Sequence, residues 1–140
     1  MGSSFEVVEH AGTDWTFEFV DEAIWLIQLD YAVSLVTQNL QLRIERSFEL
    51  RRAKQHFTIV PNSPQDLVPV LSLHEEPLRR VVVAESGELR MHLRDGETIL
   101  VPPSDDAYEA FTLSITGDFN FASLPGGGLD YWGAMGRDAT

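Results

Sequence analysis

Between Trp15 and Ile44 the apolar residues return at every second position: Trp15, Phe17 and Phe19, then Trp25, Ile27 and Leu29, then Val33 and Leu35, then Leu40, Leu42 and Ile44. A period of two belongs to a strand with one buried face, and the aromatic and β-branched content of these runs suits a pleated sheet better than a helix. His56 to Val60 adds a short strand closed by Pro61. The second half resumes the pattern at Leu78–Ala84, Glu88–Leu93, Glu97–Val101, Tyr108–Ile115, Phe119–Leu124 and Leu129–Trp132. Turn formers separate these runs at Ser86-Gly87, Asp95-Gly96, Pro102-Pro103, Gly117-Asp118 and Pro125-Gly126-Gly127-Gly128. Short strands joined by tight turns imply antiparallel hairpins and not βαβ crossovers, so the pattern predicts a mainly β (α+β) domain.

One segment breaks the alternation. Asn62-Ser63-Pro64-Gln65-Asp66 reads as a helix start, with Ser63 as cap, Pro64 in the first helical position and Asp66 in the first turn. Leu67, Val70, Leu71 and His74 would then share one face, and Pro69 limits the helix to about two turns. The expectation is one short helix covering part of the sheet.

Register can be argued at the turns. A three-residue loop Arg94-Asp95-Gly96, with Gly96 left-handed, pairs Met91 with Ile99 and Leu89 with Val101 and gathers them on one apolar face; a two-residue loop mixes them with Arg90 and His92. Pairing Leu35 with Leu42 and Val33 with Ile44 leaves Gln38-Asn39 as a turn. By contrast, a Gly117-Asp118 turn places Phe119 and Phe121 on the face opposite Leu113 and Ile115, where they would meet the helix, another strand or a partner. Trp25, Ile27, Val33 and Leu35 also match Val81, Val83, Leu89 and Met91 at one constant offset. Leu42 and Ile44 match Ile99 and Val101 with one residue more, which suggests a weak internal repeat of 23–60 on 78–115.

The chain has 140 residues, the size of a single globular domain over 1–140. It has no cysteine, so neither disulfides nor thiolate metal sites are available. No apolar run approaches the roughly 18 residues of a membrane span, and Met1-Gly2-Ser3-Ser4 resembles a cloning remnant more than a signal peptide. These features place the protein in the cytoplasm, away from membranes. Its 22 acidic against 10 basic side chains give a net charge of −12. Such a surface repels a phosphate backbone, so a basic protein is a better partner than nucleic acid, although surplus carboxylates also serve solubility alone.

Candidate chemistry is sparse. The run Gly126–Gly128 precedes a strand-like segment where a phosphate cradle would open a helix, so it reads as a turn. Ser123 lacks the flanking glycines of a nucleophile elbow. Asp105, Asp106 and Glu109 could offer oxygens to a hard cation, but without the spacing of a calcium loop a solvated loop is the simpler reading. His10, His56, His74 and His92 form no closely spaced ligand pair and read as structural. No catalytic residue, cofactor site or metal site is therefore assigned.

Gly87-Glu88-Leu89, Asp95-Gly96, Val101-Pro102-Pro103, Tyr108-Glu109-Ala110-Phe111 and Leu124-Pro125-Gly126-Gly127 running to Trp132 together resemble a family of small bacterial domains of unknown function. That family is related to immunity proteins of polymorphic toxin systems; Phe111 stands where its pattern has a tryptophan. The resemblance implies a non-enzymatic binding protein, an immunity protein that occludes the active site of a cognate toxin. Its acidic charge suits a basic target such as a nuclease. Asp105, Asp106, Glu109 and Asp130 are the candidate partner-binding residues. The alternatives are a small enzyme or ligand-binding domain with a pocket between sheet and helix, and a self-associating accessory domain, for instance a homodimer.

Overall fold

A computed structural model describes residues 4–11 and 14–133. Met1, Gly2, Ser3 and the side chain of His10 lie outside the described residues. The alternating runs form two antiparallel sheets that pack on one another without closing into a barrel.

The first sheet contains β1 (Ser4–Ala11), β2 (Asp14–Ala23), β6 (Phe48–Arg52), β7 (Gln55–Ile59), β8 (Pro77–Val83), β9 (Leu89–Leu93) and β10 (Thr98–Val101). Their spatial order is β1-β2-β8-β9-β10-β6-β7. The second sheet contains β3 (Leu26–Leu29), β4 (Val33–Val36), β5 (Leu40–Ile44), β11 (Phe111–Ile115), β12 (Phe119–Ser123) and β13 (Leu129–Trp132), in the order β13-β12-β11-β5-β4-β3. Both halves of the chain trace related paths: a three-stranded meander in one sheet, then a crossing into the other beside the partner meander. β6 thus follows β5 but pairs with β10, whereas β11 follows β10 but pairs with β5.

The register at two turns is the one that side-chain alternation demands. Met91 faces Ile99 and Leu89 faces Val101 across a turn at Arg94–Gly96, with Gly96 at φ 78°. Leu35 faces Leu42 and Val33 faces Ile44. The constant offset between the halves fails in their first strands, because Leu35 lies opposite Ile27 while Met91 lies opposite Val81, so Ile27 corresponds to Val81 and not to Val83. The loop after β8 is simply longer than the loop after β3. Trp25 falls at the crossover before β3 and is exposed, and Ile24 is buried in its place.

Phe119 and Phe121 need correction. They pair with Ile115 and Leu113 and therefore share their face, because the turn spans three residues, Thr116-Gly117-Asp118, with Thr116 itself left-handed at φ 56°. One extra residue in the turn moves the whole strand to the other face. Both rings point into the space between the sheets, where Phe17 meets Phe119 at 5.3 Å and Phe121 at 5.9 Å between centroids. Trp15 approaches Phe121 at 5.8 Å. Tilted and edge-on rings of this kind add to the burial of the core.

The helical segment is smaller than its sequence suggests. Pro64–Asp66 forms a 3-10 turn and Val68–Leu71 a single α-turn, α1, and Ser63 makes no side-chain cap. Pro69 breaks the continuity, so the expected face is not kept: Val70 and Leu73 are buried, whereas Leu71 is exposed. His74 is exposed too, with Nε2 3.0 Å from the Trp25 carbonyl oxygen. No helix among the described residues is long and apolar enough to cross a membrane.

Candidate functional site

The two crossings between sheets create an organised end of the molecule. Pairing of Val33 with Ile44 sets the loop 30–32 beside 45–47, and the Glu45 amide donates to the Ala110 carbonyl at 2.9 Å, joining 45–47 to the long loop 102–110. Ser123 closes the base of that loop: its buried Oγ accepts from the amides of Ala110 at 2.6 Å and Phe111 at 3.2 Å. Ser123 is thus a backbone anchor and not an exposed nucleophile.

Two turns seal the same end. The Gly128 amide donates to the Ser86 carbonyl at 2.8 Å, and a Cβ on Gly87 would stand 2.5 Å from the Gly128 oxygen. The Gly-rich run therefore docks one sheet's turn on the other's, which explains why both turns need glycine.

Asp106 organises the loop 102–110. Its Oδ1 accepts from the Tyr108 amide at 2.9 Å and its Oδ2 pairs with Arg46 at 2.9 Å. Ser104 Oγ donates to the Tyr108 carbonyl. The Tyr108 amide first, and Arg46 after it, hold the Asp106 carboxyl below the usual aspartate range. Arg46 also lies 4.7 Å from the centroid of the Tyr108 ring. Across the end the arrangement is echoed: Asp30 Oδ1 accepts from the Ala32 amide at 2.8 Å, and Arg43 sits 4.8 Å from the Tyr31 centroid while pairing with Asp30 at 3.4 Å and Glu45 at 3.2 Å.

Tyr31 and Tyr108 remain 64% and 65% exposed, two large rings presented on one end. With Glu45, Arg46 and Glu109 they line a notch of about 180 Å³. Asp105 and Glu109 are exposed beside it and make no ion pair with the described residues. The expected residues thus divide by role: Asp105 and Glu109 project freely, Asp106 is spent on shaping the loop, and Asp130 lies apart on β13, exposed and paired by backbone register with Ala122.

Sequence reading missed Tyr31, Arg43, Glu45 and Arg46. No local signal marks them, since they join the acidic loop only through the β4-β5-β11 register. Tyr108, expected to begin a strand, belongs to the loop.

The model of a family of unknown function, DUF6188, matches residues 15–133. No curated protein and no solved structure matches the chain.

Proposed function

The chain belongs to the DUF6188 family, and we propose that it acts by binding a basic protein through the acidic end of the sandwich, as an immunity protein occluding a toxin's active site. The carrying observation is that Asp105 and Glu109 flank an exposed Tyr108 on a loop already pinned by Asp106, Arg46 and Ser104. A loop held in place before encounter loses little conformational freedom on binding. Exposed tyrosines are favoured anchors of protein interfaces, and surrounding carboxylates attract and orient a cationic surface. A nuclease, whose substrate is a polyanion, is a target of matching chemistry.

The reading is tested by capturing partners from the native cell on immobilised protein, then assaying the captured protein's activity with and without this chain. A basic partner whose activity is blocked at one-to-one stoichiometry supports it. Turnover of a small substrate by the chain itself contradicts it.

A further inference from the structure

Away from the acidic end, the first sheet opens between β2 and β8. Their pairing runs from Trp15–Val83 to Glu18–Arg80 and resumes only at Glu22–Leu78. β8 also slips against β9 between Leu78 and Arg80, and Asp21 adopts φ 53°. Two irregularities thus face each other, and bulges of this kind re-aim side chains and concentrate beside binding sites.

A cleft of about 620 Å³ lies in the opening, with Phe5, Phe19 and Leu93 among its apolar lining and Arg79, Arg80 and His92 among its polar lining. A second cleft, of about 530 Å³, shares Phe19, Val20 and Arg79 with the first and extends to Arg94, past Asp21 and the buried Glu22, whose carboxylate is engaged by Thr37 and Asn39. Such volumes suit a small organic ligand. Phe19 is almost wholly buried and stacks on Phe5 at 5.9 Å, so the apolar lining is preformed. Arg80 is paired with Glu18. Arg79 and Arg94 are exposed, and their side chains make neither an ion pair nor a hydrogen bond with the described residues. In a chain of net charge −12, two guanidinium groups outside any ion pair among the described residues, beside an apolar lining, have the chemistry to hold an anion.

We propose that these two adjoining clefts together bind an amphiphilic organic anion, its carboxylate or phosphate head held by Arg79 and Arg94 in the second and its apolar body set against Phe19, Val20 and Leu93 in the first. The head accepts charge-assisted hydrogen bonds, in two-pronged fashion at each guanidinium. A free acid and the C-terminal residue of an apolar peptide share this chemistry.

Calorimetric titration of the full chain with decanoate, decyl phosphate, decanol and a capped peptide ending in phenylalanine tests it. Saturable binding is expected for at least one of the anions, at least tenfold tighter than for decanol. The Arg79→Gln/Arg94→Gln variant should weaken it at least tenfold with an unchanged thermal midpoint. A preference for the peptide over both alkyl anions identifies a chain terminus as the source; the reverse identifies a free acid. Equal affinity for anions and decanol, undiminished binding by the double variant, or no binding of any anion would each overturn the proposal. Because neither arginine is at the acidic end, Asp105→Lys should leave the titration intact, so failure here and failure of the binding-protein reading are separable.

Discussion

The carboxylate of Glu22 on β2 grips Asn39 in the β4–β5 turn, accepting from its backbone amide at 2.7 Å and from its side-chain amide at 2.9 Å. Thr37 Oγ1 donates to the same carboxylate at 2.6 Å, and Glu22 is 1% exposed. One buried side chain of the first sheet thereby fixes a turn of the second. Glu22→Ala should remove the carboxylate that accepts from these donors and destabilise the fold by about 2–5 kcal/mol, since buried groups that lose a partner cost about 1–3 kcal/mol each and losses within one network are not additive. Chemical denaturation measures it; a change below about 0.5 kcal/mol would show that water replaces the carboxylate without penalty.

Met91 is fully buried between Val81 and Ile99. Met91→Asp should cost several kcal/mol, as an unpaired charge in an apolar layer. An unchanged thermal midpoint would place Met91 on the wrong face.

Gly87 and Gly96 both have positive φ, 93° and 78°. Only Gly87 has backbone in the way of a Cβ, for Gly96 has nothing within 4 Å. Both alanine variants should lose the roughly 1 kcal/mol of a left-handed alanine, and Gly87→Ala should lose clearly more by pushing the two turns apart. Equal midpoints for the two variants would contradict the docking of Gly87 on Gly128.

Stability should fall on acidification with two onsets, one set by His92 and one by Glu49. Burial first, then the charges of Arg80 and Arg90, depress the pKa of His92 below its ordinary 6.5. The unfolded chain therefore takes up a proton that the folded chain resists, and stability is lost as pH falls from about 6.5 toward the depressed value. Glu49 is held below its ordinary 4.5 chiefly by its hydrogen bond with His56. Its contribution is present above pH 4.5 and lost as pH falls through the folded value. Denaturation across pH should show the first step vanish in His92→Gln and persist in Glu49→Gln.

Much of the sheet structure was legible because alternation and turn length constrain each other. Met91 and Ile99 could be paired since Gly96 announces a left-handed residue. Phe119 could not, because at the matching position the chain uses Thr116, whose sequence gives no sign of positive φ. The helix is shorter than its sequence suggests because Pro69 not only limits its length but also resets which residues face inward. Asp105 and Glu109 were visible as surplus charge. The roles of Arg46 and Tyr31 were not, since both depend on non-local strand pairing that periodicity leaves undetermined.

Asp105 and Asp106 are neighbours with opposite expectations. Asp105→Ala should leave the loop unchanged, whereas Asp106→Ala removes the acceptor for the Tyr108 amide and the partner of Arg46. Amide exchange at Tyr108 should accelerate only in the second variant; equal protection in both would deny Asp106 its shaping role.

If the acidic end meets a basic partner, its free carboxylates should set the rate of association. Asp105→Lys/Glu109→Lys reverses the two free carboxylates and spares Asp106. With the captured partner, wild-type association should slow markedly between low and physiological ionic strength, where screening acts over about 8 Å. The double variant should associate more slowly at low salt and lose most of that salt dependence, with its thermal midpoint unchanged. Rates independent of salt and identical in the two proteins would contradict the account.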